Sequence, residues 1–325
     1  MLPGFAYVRP ETVTDAVKAL AVGSSRPLSG GTDLLGCLSD GVFETPTLVS
    51  LRRIVALRGV DPTAEGGLRI GALATLAEVA DSERVRARYP ALSEAASCVG
   101  SPQLRNQGTV AGNLCQKPRC WYYRGGFDCL RKGGDTCFAA SGENRYHCLF
   151  GGDGCYIVHP SDVAPALAAL GATVRIVGPA GTRSLPVEEL FVAPSKDPRR
   201  ETVLDGGEIV TEIVLPPAAA GLRSTYRKVR ARASWDFALV GGAFALRVVE
   251  GVVRDARVVL SGVAPVPWRS KPVEAALTGR RLDAGTIARA AAAAVTGAEP
   301  LGDNGYKVPL LSGLVQERLE TLAQA

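Results

Sequence analysis

The spacing of hydrophobic residues along the chain predicts short helices and strands that follow one another in mixed order. In the segment 13–20 the apolar positions recur at the i, i+3, i+4, i+7 spacing of an amphipathic helix, and Thr12 stands at its N-cap position. The run 48–51 then has the composition of a short apolar strand. These elements predict a small α/β unit over the first fifty-odd residues.

Two further units follow along the chain. In the first of them, apolar runs predict strands at 68–71, 173–177 and 209–215 and helices at 76–79, 92–96 and 163–170. The segment 216–221 (PPAAAG) is the clearest linker in the sequence. Beyond it, the runs 243–249 and 252–263 flank Glu250-Gly251 and predict a hairpin, with helices at 286–296 and 314–322. This mixture predicts an α+β fold.

Composition excludes several classes of protein. At 325 residues with 46% apolar residues, the chain is long enough for two or three domains. No run of eighteen apolar residues predicts a membrane span, and the first ten residues lack the pattern of a signal peptide. We therefore expect a cytoplasmic location, with export through a partner's signal left open. The net charge of +5 is dispersed and accompanies no nucleic-acid-binding motif.

The cysteines are the most unusual feature of the composition. Six of the eight lie in one loop, at Cys115, Cys120, Cys129, Cys137, Cys148 and Cys155. Without an export signal a disulfide framework is disfavoured, and four converging thiolates would bind an iron–sulfur cluster or zinc. The loop has no close C-x-x-C pair, which argues against common zinc ribbons without removing zinc. With only two histidines, His147 and His159, a hydrolase triad is disfavoured.

Two glycine turns flank this loop on its N-terminal side. The segments 29–33 (SGGTD) and 107–113 (QGTVAGN) combine glycine with small hydroxyl residues. Such turns let backbone N–H groups approach a pyrophosphate, and two of them would hold one dinucleotide. Neither segment matches G-x-G-x-x-G or a P-loop, and Gly-Gly-Thr-Asp equally fits an ordinary turn with a helix cap.

Further motifs show a resemblance to a known family. The turn 30–33, the segment 105–113 (RNQGTVAGN) and the segment 159–162 (HPSD) resemble the FAD-binding subunit of molybdenum hydroxylases, the family of xanthine dehydrogenase and carbon monoxide dehydrogenase. Later landmarks follow in the same order, at 207–210 (GEIV), 226–228 (YRK) and 262–265 (GVAP). The resemblance covers nearly the whole chain. It implies a two-part FAD-binding domain of the vanillyl-alcohol-oxidase (PCMH) type, at 1–57 and 58–217, followed by an α+β C-terminal domain at 222–325.

The resemblance also implies which residues contact FAD. Asp162 would lie close to the flavin, although from the residues alone it fits a helix N-cap beside Ser161 equally well. Lys228, otherwise a surface residue on a strand, would stabilise the anionic reduced ring. The implied FAD-binding residues are Ser29, Gly30, Gly31, Thr32, Asp33, Leu34, Leu35, Thr109, Gly112, Asn113, Asp162, Val210 and Lys228.

The cysteine loop points to one subgroup of the family. Most members lack this loop, and the chain resembles the subgroup with an extra [4Fe–4S] cluster, found in 4-hydroxybenzoyl-CoA reductase and some bacterial aldehyde oxidoreductases. The resemblance implies four ligands: Cys120, Cys129, Cys137 and Cys155. The most characteristic feature of this set is the eight-residue step from the second ligand to the third. Cys115 and Cys148 would be spare. It stays open whether one of them replaces an assigned ligand.

Together these features predict an electron-transfer subunit with FAD and a [4Fe–4S] cluster and no catalytic residue of its own. Its partners would be a molybdopterin-binding large subunit, which handles an aldehyde, purine or aromatic acyl-CoA substrate, and a [2Fe–2S] small subunit, because the C-x4-C-x2-C spacing is missing here. We expect a heterotrimer or a dimer of heterotrimers that exchanges electrons with an external acceptor or donor. Two alternatives stay open: a stand-alone FAD oxidase of the vanillyl-alcohol type and a zinc-stabilised scaffold protein.

Overall fold

The computed structural model describes residues 2–324, which form three sheets in sequence order. The first sheet is parallel in the order β1-β3-β2 and contains β1 (Ala6–Val8), β2 (Arg26–Leu28) and β3 (Thr47–Ser50). Its helices are α1 (Val13–Leu20) and α2 (Leu34–Ser39). The hydroxyl of Thr12 caps α1 by accepting from the Asp15 N–H at 3.1 Å, which confirms the predicted helix start.

The second sheet is antiparallel in the order β4-β5-β8-β6-β7. Its strands are β4 (Val60–Pro62), β5 (Leu68–Gly71), β6 (Thr173–Gly178), β7 (Gly181–Pro186) and β8 (Ile209–Leu215). The three central strands confirm the prediction from apolar runs. The two edge strands were not predicted, because edge strands have polar, largely exposed residues that carry no alternating apolar pattern.

Seven helices accompany this sheet: α3 (Leu76–Asp81), α4 (Glu83–Arg88), α5 (Pro90–Ser97), α6 (Pro102–Gln107), α7 (Val110–Leu114), α8 (Trp121–Arg124) and α9 (Val163–Ala169). Every residue of α9 is buried, as its apolar sequence predicts. The predicted second glycine turn is in fact partly helical. The Thr109 hydroxyl accepts from the Gly112 N–H at 3.2 Å and so caps α7.

The third sheet is antiparallel in the order β12-β11-β10-β9. Its strands are β9 (Leu222–Val229), β10 (Val240–Val249), β11 (Val252–Ser261) and β12 (Trp268–Arg269), and its helices are α10 (Lys271–Leu277), α11 (Ala284–Ala293) and α12 (Lys307–Gln324). The predicted hairpin is confirmed, with its turn at Glu250-Gly251. Helix α12 begins seven residues earlier than predicted, because its first turn buries Lys307 rather than an apolar residue.

One hydrophobic core joins the second and third sheets. The core residues of α5 and α9 pack together with Tyr226, Ala243 and Val259, which belong to one face of the third sheet. The opposite face of that sheet packs against α10, α11 and α12. The FAD-binding part predicted from sequence and the C-terminal part therefore share buried surface. None of the helices between residues 2 and 324 is long and apolar enough to cross a bilayer.

The cysteine loop is mostly irregular and is held by polar contacts to the C-terminal part. The Lys307 ammonium is fully buried and donates to the carbonyls of Tyr146, His147 and Gly262 at 2.8–2.9 Å. The Asn304 side-chain amide also donates to the His147 carbonyl, at 3.2 Å. These contacts satisfy backbone groups that regular secondary structure would otherwise satisfy.

We expect Lys307→Met to destabilise the protein strongly. The methionine matches the lysine in length but leaves three carbonyls without this donor, so the free energy of unfolding should fall by about 3 kcal/mol. Urea unfolding followed by circular dichroism measures the change. Lys196→Met at an exposed position is the matched control and should leave the midpoint almost unchanged. Equal midpoints for the two variants would contradict the role assigned to Lys307.

Candidate functional site

The two glycine turns lie in direct contact with each other. The Gln107 side chain donates to the Gly30 carbonyl at 2.9 Å, and the Thr109 hydroxyl donates to the Ser29 hydroxyl oxygen at 3.0 Å. A Cβ on Gly30 would overlap the backbone carbonyl of Gln107, and a Cβ on Gly112 would lie 2.9 Å from the Ser29 hydroxyl oxygen. Glycine is therefore required at Gly30, where the clash is with backbone, whereas a Cβ at Gly112 would displace the hydroxyls of Ser29 and Thr109.

A cavity of about 510 Å³ opens beside the paired turns. All but one of the residues that the sequence implied for FAD line it: Ser29, Gly30, Gly31, Thr32, Asp33, Leu34, Thr109, Gly112, Asn113, Asp162, Val210 and Lys228. The exception is Leu35, which packs instead against the apolar cluster of Leu28, Leu38 and Leu48. The structure thus brings residues from all three sheets to one cavity, whose size is typical of a ligand site.

Asp33 connects the first turn to the cysteine loop. It precedes α2, but its side chain makes no capping hydrogen bond, so the helix-cap interpretation of this residue is wrong. The carboxylate instead accepts from the Lys117 backbone N–H at 2.7 Å, and it pairs with Arg119 at 2.8 Å and Arg124 at 2.7 Å. Asp33 therefore fixes the turn relative to the start of the loop.

Asp162 forms a buried ion pair at the cavity. Its carboxylate accepts from Lys228 at 2.7 Å and from the Tyr226 hydroxyl at 2.8 Å. Asp162 occupies the N-cap position of α9, but its side chain makes no capping hydrogen bond, and the Ser161 hydroxyl oxygen instead accepts from the Ala164 N–H at 3.0 Å. Burial raises the pKa of the Asp162 carboxyl, while the Lys228 ammonium and the Tyr226 hydroxyl oppose that shift.

Lys228 is buried, not exposed as the strand pattern suggested. Its side chain is 2% exposed because it extends from β9 toward Asp162. Sequence periodicity places a residue on a strand but does not identify a charged partner 66 positions away. The ion pair links α9 to the third sheet and fixes a positive and a negative group at the cavity wall.

Several cavity residues carry no signal in the sequence. Lys117 and Arg119 of the cysteine loop and Trp235 and Phe237 of the β9–β10 loop all line the cavity. The Arg119 guanidinium lies 5.0 Å from the centre of the Phe237 ring, a cation–π distance. Trp235 is 63% exposed. The cavity mouth is thus made by loops that periodicity cannot place.

The cysteine loop encloses a second, small cavity. All four implied cluster ligands line it: Cys120, Cys129, Cys137 and Cys155. Cys115 lies instead at the wall of the larger cavity, and Cys148 is buried outside the lining of both. The structure therefore groups the cysteines into the same sets of four and two that the family resemblance implied.

Two of the four sulfurs have a polar side chain beside them. The Arg131 guanidinium lies 3.9 Å from the Cys155 sulfur, and His147 Nε2 lies 3.3 Å from the Cys120 sulfur. Burial raises the pKa of Cys120 to about 11, although N–H groups of Tyr122 and Tyr123 oppose this shift. Burial also lowers the pKa of His147 to about 4, so its ring is neutral near pH 7.

The side chains do not close on a single point. Across the described residues 2–324, no three Cys, His, Asp or Glu side chains lie close enough together to hold one metal ion. A cluster of four irons places each cysteine on a different iron, so its ligands surround the cluster rather than one atom. The four cysteines share the lining of the small cavity without converging on one point.

Comparisons with known proteins agree with this architecture. The family model for the FAD binding domain in molybdopterin dehydrogenase matches residues 3–218, and that for the CO dehydrogenase flavoprotein C-terminal domain matches residues 224–322. The chain is 39% identical over 282 residues to the aldehyde oxidoreductase FAD-binding subunit PaoB of Escherichia coli (strain K12). The matched region covers 85% of this chain and 87% of that protein.

More distant relatives extend the match to the full length. The carbon monoxide dehydrogenase medium chain of Hydrogenophaga pseudoflava is 29% identical over 98% of this chain and 96% of its own. The solved structure of carbon monoxide dehydrogenase from that organism, lacking the Mo-pyranopterin moiety of the molybdenum cofactor, matches with a TM-score of 0.79 and 28% identity, over 100% of this chain and 98% of that one. These matches confirm the predicted FAD-binding domain and C-terminal α+β domain. The chain therefore belongs to the family of FAD-binding subunits of molybdenum hydroxylases.

Proposed function

We propose that this chain is the electron-transfer subunit of a heteromeric molybdenum hydroxylase and holds both FAD and a [4Fe–4S] cluster. The observation that carries the proposal is that one loop contributes to the lining of both cavities. Lys117 and Arg119 line the larger cavity, and four cysteines of the same loop line the smaller one. Two redox groups held this way would exchange electrons within one subunit.

The larger cavity suits FAD. The N–H groups of the paired turns would bind the pyrophosphate, as glycine-rich turns do in other dinucleotide sites. The ammonium of Lys228, held by Asp162, would offset negative charge on the reduced ring. Bound FAD would supply conversion between one-electron and two-electron steps. The proposal includes contact with FAD by all thirteen residues that the family resemblance implied, of which Ser29 is the first and Lys228 the last.

The thiols around the smaller cavity suit an iron–sulfur cluster, and the cavity, at about 10 Å³, would have to widen to hold one. Its donor set is four thiols, the usual ligands of a [4Fe–4S] cluster. A thiolate-bound cluster is anionic, and the positive Arg131 beside Cys155 favours that charge. His147 contacts the Cys120 sulfur through Nε2, and its Nδ1 is buried without a hydrogen-bond partner among residues 2–324. Cys115 and Cys148 would remain uncoordinated.

We propose that the substrate chemistry takes place on partner chains. The sequence has no spacing for a [2Fe–2S] domain, and the relatives are named as a FAD-binding subunit and a medium chain. A molybdopterin-binding large subunit would handle an aldehyde, purine or aromatic acyl-CoA, and a [2Fe–2S] small subunit would connect it to this chain. The same proposal includes a cytoplasmic location, a heterotrimeric assembly and electron exchange with an external acceptor or donor. It also includes the domain division at 1–57, 58–217 and 222–325.

Gly30→Ala should weaken FAD retention by at least about tenfold in the dissociation constant. The added Cβ overlaps the Gln107 carbonyl, so the two turns must separate. Gly112→Val should act in the same direction through Ser29. The matched control is Gly36→Ala in α2, where a Cβ meets nothing within 4 Å. Flavin fluorescence during titration of the deflavinated protein measures the constant. Full flavin affinity in both turn variants would contradict the assignment.

Serine at any of the four cluster positions should remove about four irons per protomer, because a site that loses one of its four ligands becomes unstable. The variants are Cys120→Ser, Cys129→Ser, Cys137→Ser and Cys155→Ser. Cys115→Ser and Cys148→Ser are the controls and should keep their iron. Iron, zinc and sulfide analysis of protein prepared without oxygen checks this. Wild-type protein with zinc and no sulfide, or with neither metal, would refute the cluster.

The isolated chain should not oxidise aldehydes or purines at a steady rate, whereas the complete complex should. Assays of both preparations with a dye acceptor test the division of labour. The absorption spectrum adds a second criterion, because brown colour with flavin peaks supports this proposal and yellow alone favours a stand-alone oxidase. Steady turnover by the isolated chain would overturn the assignment of substrate chemistry to a partner.

A further inference from the structure

An ion-pair network joins one implied cluster cysteine to the first glycine turn. The Arg131 guanidinium, 3.9 Å from the Cys155 sulfur, lies 2.9 Å from a carboxylate oxygen of Glu201. The other oxygen of Glu201 pairs with the Lys117 ammonium. The backbone N–H of Lys117 then donates to Asp33 at 2.7 Å. We call Arg131, Glu201 and Lys117 the ion-pair network.

The network is buried enough to be stiff. The side chains of Arg131 and Glu201 are 2% and 8% exposed, and that of Lys117 is 22% exposed. Arg131 is held further by the carbonyls of Pro198 and Arg200. Buried pairs of this kind are weakly screened by salt, and removing one partner is strongly destabilising because the other charge stays unpaired. A displacement of Arg131 would therefore shift Lys117 through Glu201.

The network connects the two cavities through a residue that lines neither. Arg131 lines the cysteine cavity, Lys117 lines the larger cavity, and Glu201 is absent from both linings. Glu201 therefore has no direct contact through which it would affect a bound group. Glu201 can act on the two sites through its charge, which reaches Cys115 and Tyr123, and through the side chains that it holds.

A second contact runs in parallel. Cys120 is the residue that precedes α8, and Arg124 is the last residue of that helix. The Arg124 guanidinium lies 2.7 Å from Asp33. The position of Cys120 is thus linked to the same carboxylate through one turn of helix. Two of the four cysteines are connected to Asp33, by routes that also touch each other because Arg124 donates to the Lys117 carbonyl at 3.3 Å.

We propose that Glu201 is a positioning residue that couples the two sites, so that a bound cluster and bound FAD strengthen each other's binding. This inference rests on the proposed function. Thiolates held by a cluster fix Cys155 and Arg131, Arg131 orients Glu201, and Glu201 holds Lys117 so that its N–H fixes Asp33. Asp33 in turn holds the turn at 29–33. Coupling between two binding equilibria is reciprocal, so loss of FAD should loosen the cluster by the same factor.

The test compares FAD affinity with and without the cluster in the purified complex. Iron is removed with a chelator, and the dissociation constant of FAD is measured by flavin fluorescence. In wild type, chelation should weaken FAD about tenfold, within the usual range of coupling between sites. In Glu201→Gln, FAD should already be weaker while iron is present, and chelation should add little. The variant keeps the shape of the side chain and removes its charge.

Asp205→Asn is the matched control. Asp205 lies on the same segment and pairs with Arg200 at 3.0 Å, but its side chain is 74% exposed and is not part of the network. It should behave as wild type in both states. Far-UV circular dichroism of each sample establishes that the fold is retained. Arg131→Lys, which keeps the charge but loses the forked geometry, should reproduce the effect if Glu201→Gln fails to fold.

The outcomes separate this inference from the function on which it rests. A wild-type complex that holds no iron beyond that of the partner [2Fe–2S] subunit removes the cluster and with it the coupling. Extra iron of about four atoms per copy of this chain, together with FAD affinity that is unchanged after chelation has removed that iron, overturns the coupling alone. Equal loss of affinity on chelation in wild type and Glu201→Gln shows that the sites communicate by another route and overturns the role of Glu201.

Discussion

The close approach of Gly30 to the Gln107 carbonyl is the constraint on which the larger cavity depends. The first turn follows β2 of the small parallel sheet, and the second lies between α6 and α7 of the second unit. They meet because neither Gly30 nor Gly112 has a Cβ at the point of contact. A larger residue would separate the turns, and the backbone N–H groups that a pyrophosphate needs would no longer face one space.

The third sheet completes this cavity. Lys228 extends from β9 to Asp162 at the start of α9, and Tyr226 on the same strand donates to the same carboxylate. A buried ion pair costs desolvation energy that packing of apolar residues would avoid. Its position at the cavity wall suggests that it is retained to place charge there. Because Tyr226 also belongs to the shared hydrophobic core, the C-terminal part contributes both to that core and to the wall of the larger cavity.

The cysteine loop is positioned from two sides. Lys307 and Asn304 hold the segment around His147 from the C-terminal part. Asp33 holds the start of the loop from the first turn. Because the loop contains little regular secondary structure, these buried polar contacts determine where its cysteines lie. The loop therefore encloses the small cysteine-lined cavity and also forms part of the wall of the larger cavity.

Elements with a local signal could be predicted from the residues alone. Helix α1 with its Thr12 cap, the buried helix α9 and the hairpin of β10 and β11 follow from periodicity and turn residues, and the motif order indicated the family. Contacts between distant residues required the folded chain. The Ser161 hydroxyl bonds the start of α9, whereas the Asp162 carboxylate pairs with Lys228, which lies 66 positions away in the sequence. Periodicity also failed to predict the edge strands β4 and β7, the cavity residues Trp235 and Phe237 and the partners of Asp33. Periodicity reports which face of an element is buried, whereas the partner of a charged side chain depends on how distant segments pack.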